Sequence, residues 1–307
     1  DKQTDRLENN EITKLTEFGR RRMEKNCIDR KALRYNFLKK IIIRFDYDGM
    51  DDTELDQVIS SISIELKKHD YTSRTVEMEK EMQFEFNDPE SGDYAELYGK
   101  KVREQKVFVF HNENPQIRLS ISSSSACITI EETKYVDCLK YCDVLWKVML
   151  IISEPEKVPF FMFKRFGLRK INQCFLMDIN HLNEYFEPSH YHVFRLPDEA
   201  DIKEKVMQIR DSLEIADYNV NLIRTLVRGE LRGKEAYQVN YDADMYLIDS
   251  DSIAELMKNE DKIAQMNDWL FTLYKDAVTE AFLNQLIDGS FDKNMIAGVE
   301  ANGEDTV

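Results

Sequence analysis

The chain lacks any apolar run of roughly 18 residues, the length a membrane-crossing helix needs. Its first residues are charged and carry no apolar signal-peptide core. Glycine (10) and proline (6) are scarce, which disfavours collagen-like, linker-rich and loop-rich β-sandwich chains. The five cysteines, Cys27, Cys127, Cys138, Cys142 and Cys174, include no C-x-x-C pair. They are expected to be free, buried thiols of a reducing cytoplasm. There is no G-x-S-x-G elbow, H-E-x-x-H, P-loop, G-x-G-x-x-G or EF-hand loop, so the common hydrolase, zincin and nucleotide-binding signatures are missing.

Charge is abundant and unevenly placed. The net charge is −16 over 307 residues. Residues 1–44 hold thirteen Lys/Arg against seven Asp/Glu, a net of +6, which leaves −22 on the other 263. An acidic body repels phosphate and so disfavours general nucleic-acid binding. The basic arm, with Arg20, Arg21 and Arg22, is the one place where a nucleic acid or an acidic surface could dock.

Periodicity predicts an α+β fold. Ile41-Ile42-Ile43 marks a strand over Leu38–Tyr47. Asp51 or Asp52 caps a helix over Thr53–His69 with Leu55, Val58, Ile59, Ile62 and Leu66 on one face. Strands follow at about Thr75–Phe86, Lys106–His111, Gln116–Ser122 and Ala126–Glu132, and then a long helix over Tyr135–Ser153. The prolines at 155 and 159 end that helix. The second part reads as an extended Phe160–Leu176, a short helix over Ile179–Phe186 and a strand at His190–Leu196. After it come two long strands, Asn219–Leu231 and Glu235–Asp249, and a final helix from Ile253 to about Asp288, breakable near Asn259–Asp261. The expected organisation is a basic helical arm (1–33), two β-α-β-β-β-α halves (34–153 and 154–288) of similar order, and a disordered acidic tail (289–307). Each half is expected to have its own mostly antiparallel sheet backed by a long helix.

Three stretches carry a resemblance. Lys134-Tyr135 opens a helix that bears Trp146. Arg165-Phe166-Gly167-Leu168-Arg169-Lys170-Ile171-Asn172 is similar to an R-x-G-L-R-Y-x-N strand. Asp242-Ala243-Asp244 precedes a long helix with Leu273-Tyr274 and Phe282. In this order they resemble a sporadically distributed, largely uncharacterised bacterial protein family. Lys170 stands where that family has an aromatic, and Tyr274 where it has a histidine. The resemblance spans about 34–288 and implies a bacterial, cytoplasmic α+β protein without implying a reaction.

Candidate chemistry lies in the second half. Asp242 and Asp244, i and i+2 on a strand, share a face about 6–7 Å apart and could hold Mg²⁺. Arg165 and Arg169, with Arg224 and Arg228, could form an anion cradle. The plainer reading pairs these arginines with Asp242 and Asp244 across the sheet. His190 and His192, with His111 and His181 nearby, are a weak metal signal. Trp269, Tyr274 and Phe282 widen the apolar face of the last helix, which is either packed inside the chain or offered to a partner or a second copy.

With no catalytic set in view, the leading expectation is a non-catalytic cytoplasmic interaction protein. It would bind a basic protein partner, as an antitoxin-like, immunity or defence component does, and homodimerisation is open. One alternative is a nucleotide- or Mg²⁺-dependent enzyme or sensor using the Arg and Asp residues. Another is nucleic-acid contact through the arm. No other cofactor and no membrane are expected.

Overall fold

A computed structural model describes residues 28–86, 97–131, 138–192, 205–256 and 258–302. The strands are β1 (Tyr35–Asn36), β2 (Leu38–Asp48), β3 (Tyr71–Phe86), β4 (Leu97–Asn112), β5 (Ile117–Ile121), β6 (Ser125–Ile130) and β7 (Met162–Leu176), then β8 (Val206–Ile215), β9 (Tyr218–Leu231), β10 (Lys234–Leu247), β11 (Ile296–Ala297) and β12 (Glu300–Ala301). The helices are α1 (Asp52–Lys67), α2 (Cys138–Ile152), α3 (Leu182–Tyr185), α4 (Ser250–Leu256), α5 (Glu260–Ala277) and α6 (Glu280–Asp288).

The fold is α+β with antiparallel pairing throughout the described strands. Two separate sheets were expected; a single ten-stranded sheet is found, in the order β3-β4-β5-β6-β2-β7-β10-β9-β8, with β11 also on β7. The seam is the β2–β7 ladder, which runs from Leu38↔Asn172 to Asp48↔Met162 with two register shifts. The strands β2 and β7 lie side by side at the centre; from β2 the chain passes through α1 to the edge strand β3 and returns inward by β4, β5 and β6, and after β7 the edge strand β8 is likewise followed inward by β9 and β10. Both strands are long and rich in inward-facing apolar residues, so each can bury one face while sharing an edge with the other.

Local signals explain the elements. Asp51 accepts from the Glu54 backbone N–H while the Glu54 carboxylate accepts from that of Asp51, a reciprocal cap on α1. Arg232 (φ 54°) and Gly233 (φ 77°) turn β9 into β10 with two left-handed residues, the geometry that matches strand twist. The expected final helix is three helices. It breaks at Asn259, whose side chain caps α5, and again at Val278, which is extended and bridges to Phe186. His190–Leu196 was expected as a strand, but His190 sits in a turn and 193–204 lie outside the described residues. The segment left open over Asp201–Ser212 contains strand β8 from Val206.

Alternation sends one side of every central strand to the helices. Ile41, Ile43, Phe45, Leu168, Cys174, Tyr241 and Met245 join α1, α2, α5 and α6 in one core. The expected disordered tail is ordered to residue 302. Phe291 (5% exposed) and Ile296 (1%) are buried, β11 pairs with β7, and β12 pairs with β1. Residues 1–27, which include Arg20, Arg21 and Arg22, lie outside the described residues, and the described start holds only a 3₁₀ turn at Arg30–Ala32.

Candidate functional site

The face of the sheet turned away from the helices carries the arginine and aspartate motif. Asp244 stands opposite Arg169 in the β7–β10 register, yet each guanidinium leans along its strand. Arg165 Nη2 donates to Asp244 Oδ1 and Oδ2 at 2.8 and 2.7 Å. Arg169 donates to Asp242 through Nε at 2.8 Å and Nη2 at 2.5 Å, the two-pronged geometry that guanidinium and carboxylate favour.

Gly167 makes the first pair possible. A Cβ there would lie 2.6 Å from Arg165 Nη1, so the guanidinium folds over bare backbone. It also stacks on Tyr246, 4.6 Å from the ring centre, and has Asp46 of β2 at 3.7 Å. Burial raises the Asp244 carboxyl above its ordinary range, while Arg165 pulls it back down. The hydrogen bond to Asp242 raises Arg169.

The other two arginines do not join this cluster. Arg224 stands opposite Tyr241 and therefore faces the helices. It is buried, bonds Asp211, and donates through Nη1 to His190 Nδ1 at 3.2 Å. That donation leaves the His190 proton on Nε2, which donates to Asp276 at 3.2 Å. Arg228 pairs with Glu235. A cradle of four guanidiniums is therefore not formed, because the two pairs occupy opposite faces. The cross-sheet pairing weighed from sequence is what Arg165 and Arg169 make.

Asp242 and Asp244 are each engaged by a guanidinium, and no group of three or more His, Cys, Asp or Glu is gathered for a metal among the described residues. His111 lies by Thr75 and His181 by Glu184, away from His190. Of the four described cysteines, Cys138, Cys142 and Cys174 are buried. Of the aromatic residues expected at an interface, Tyr274 and Phe282 are buried within the chain and Trp269 packs on the core. Phe282 touches the rings of Phe37, Tyr185 and Phe186.

Sequence reasoning missed a pocket on the helix side, between α5, β7, β10 and the segment before β2. Lys170, Asn172, Tyr241, Asn267, Leu270 and Tyr274 are among its walls. Lys170 is half-buried by surface area, but its ammonium is packed among protein atoms. Burial lowers it to about 8, and it donates to Asn267 Oδ1. The hydroxyls of Tyr241 and Tyr274 are buried with no hydrogen-bond partner among the described residues, and burial raises both phenols. Lys170 and Tyr274, the two departures from the resembled motifs, line the same pocket.

No family model matches the chain, and no curated protein matches it. Among solved structures, the Pct1 RNA triphosphatase of S. pombe in complex with the Spt5 CTD aligns over 82% of each chain at 7% identity, with a TM-score of 0.12. A score that low carries no argument about fold or activity.

Proposed function

We propose that the chain is a non-catalytic interaction protein that takes a basic polypeptide along the free edge of β3. The observation that carries this reading is the character of that edge. Val76 (53% exposed) and Met78 (61%) stand out on one side of the strand, and Glu77 and Glu79 are exposed on the other. β3 is terminal in the sheet order and pairs only with β4 among the described strands. An open edge with apolar side chains accepts an added strand, and the alternating carboxylates favour a cationic one. An acidic protein covering a basic partner suits an antitoxin, immunity or defence role in a bacterial cytoplasm, in line with the family resemblance. The enzyme or sensor alternative would first have to open both the Arg165–Asp244 and Arg169–Asp242 pairs.

The test is affinity capture of the tagged full chain from its host at moderate salt. One basic polypeptide in stoichiometric amount is expected. Its capture should be lost with Val76→Ser/Met78→Ser and weakened with Glu77→Lys/Glu79→Lys, while the melting temperatures hold. The absence of a stoichiometric polypeptide, or capture indifferent to these changes, would overturn the reading.

A further inference from the structure

The pocket beside α5 presents a cation that forms no ion pair with a carboxylate among the described residues. Lys170 has three N–H donors, and Asn267 Oδ1 is the one acceptor it reaches among the described residues. Asp268, a carboxylate close enough to act on it, is taken by Arg30 at 2.5 Å. A charge held among protein atoms normally sits beside an opposite charge, because the desolvation it suffers is otherwise uncompensated. Two further donor side chains are among the pocket's walls. Tyr241 and Tyr274 line the same space, and neither buried hydroxyl has a partner among the described residues. The rest of the wall is largely apolar, with Leu33, Leu38, Ile41 and Leu270.

We propose that this pocket binds a small organic carboxylate, with its acid group on the Lys170 ammonium and the Tyr241 and Tyr274 hydroxyls, and its carbon skeleton against the leucines. The chemistry selects this class. A single uncommitted cation suits a monoanion, whereas a phosphate ester would call for more positive charge. The apolar wall suits a hydrocarbon skeleton. The pocket's volume is about 70 Å³, room for roughly five waters at the ~10–15 Å³ each requires. A cavity of about 150 Å³ takes up one benzene, so this pocket admits a short acid of propionate or butyrate size and is too small for benzoate or a nucleotide. The site shares no residue with the β3 edge.

The experiment is calorimetric titration of the full chain with acetate, propionate and butyrate, and with 1-propanol and 1-butanol as neutral counterparts. Propionate or butyrate is expected to bind at least tenfold more tightly than its alcohol. Lys170→Met should remove that preference. Tyr274→Phe removes a hydroxyl that has no hydrogen-bond partner among the described residues, so it should fold normally and weaken carboxylate binding severalfold. Equal binding of acid and alcohol, no binding by any acid of the series, or a preference that survives Lys170→Met would overturn the proposal. If Lys170→Met does not fold, unchanged binding in Tyr274→Phe would overturn it.

Discussion

Arg165 grips both carboxylate oxygens of Asp244 from a position four residues along β7 from the residue directly opposite that aspartate. The reach is diagonal, and the intervening Gly167 gives it room.

Removing the acid alone should be costly, because Arg165 would stay partly desolvated with only the more distant Asp46. Asp244→Asn is expected to destabilise by about 1–3 kcal/mol, the usual scale for a lost charged hydrogen-bond pair. Arg165→Met/Asp244→Leu should recover most of that loss, since apolar side chains of similar size can replace an ion pair. Urea unfolding of the two variants checks this. A double variant no better than Asp244→Asn would mean the pair matters for more than its own neutralisation.

Gly167→Ala should destabilise by about 1–3 kcal/mol, because the new methyl displaces the guanidinium. In an Arg165→Ala background the same change should cost far less. Chemical denaturation of the four-member cycle measures the coupling. Simple additivity would show that the crowding lies in the backbone and not at Arg165.

Lys170 gives the stability a pH signature. Its folded value, about 8, lies below the ~10.4 of a free lysine. Between those values the unfolded chain binds the extra proton, so stability should climb as pH rises through that window. Lys170→Met should flatten the climb and raise the melting temperature at pH 7. Thermal melts from pH 7 to 10 on both proteins decide it. Parallel curves would place the lysine in contact with water.

The elements were largely legible in the sequence, and the reasons are local. Three consecutive isoleucines, the Asp51/Glu54 cap and the Arg232-Gly233 turn each act within a few residues. The Arg–Asp pairing could be weighed because both motifs sit on strands with period two. Which faces they share could not, since Arg224 turns inward only because the register sets it against Tyr241. The pocket was equally hidden. Lys170 and Tyr274 are 104 positions apart and sit in two different resembled motifs, with nothing local to say that they meet. The tail misled by composition. Its Gly, Asn and Glu residues read as solvated, while two apolar residues, Phe291 and Ile296, suffice to dock it.

The paired charges at the middle of the sheet also shape what the molecule looks like from a distance. Each Arg–Asp couple is a compact dipole, and the two lie side by side on neighbouring strands. Their fields cancel within about the ~8 Å screening length of physiological salt. An approaching ion therefore feels little from these two couples, despite their four formal charges. The long-range field of a −16 chain must originate elsewhere on its surface, and diffusional steering would deliver a cation away from this stripe.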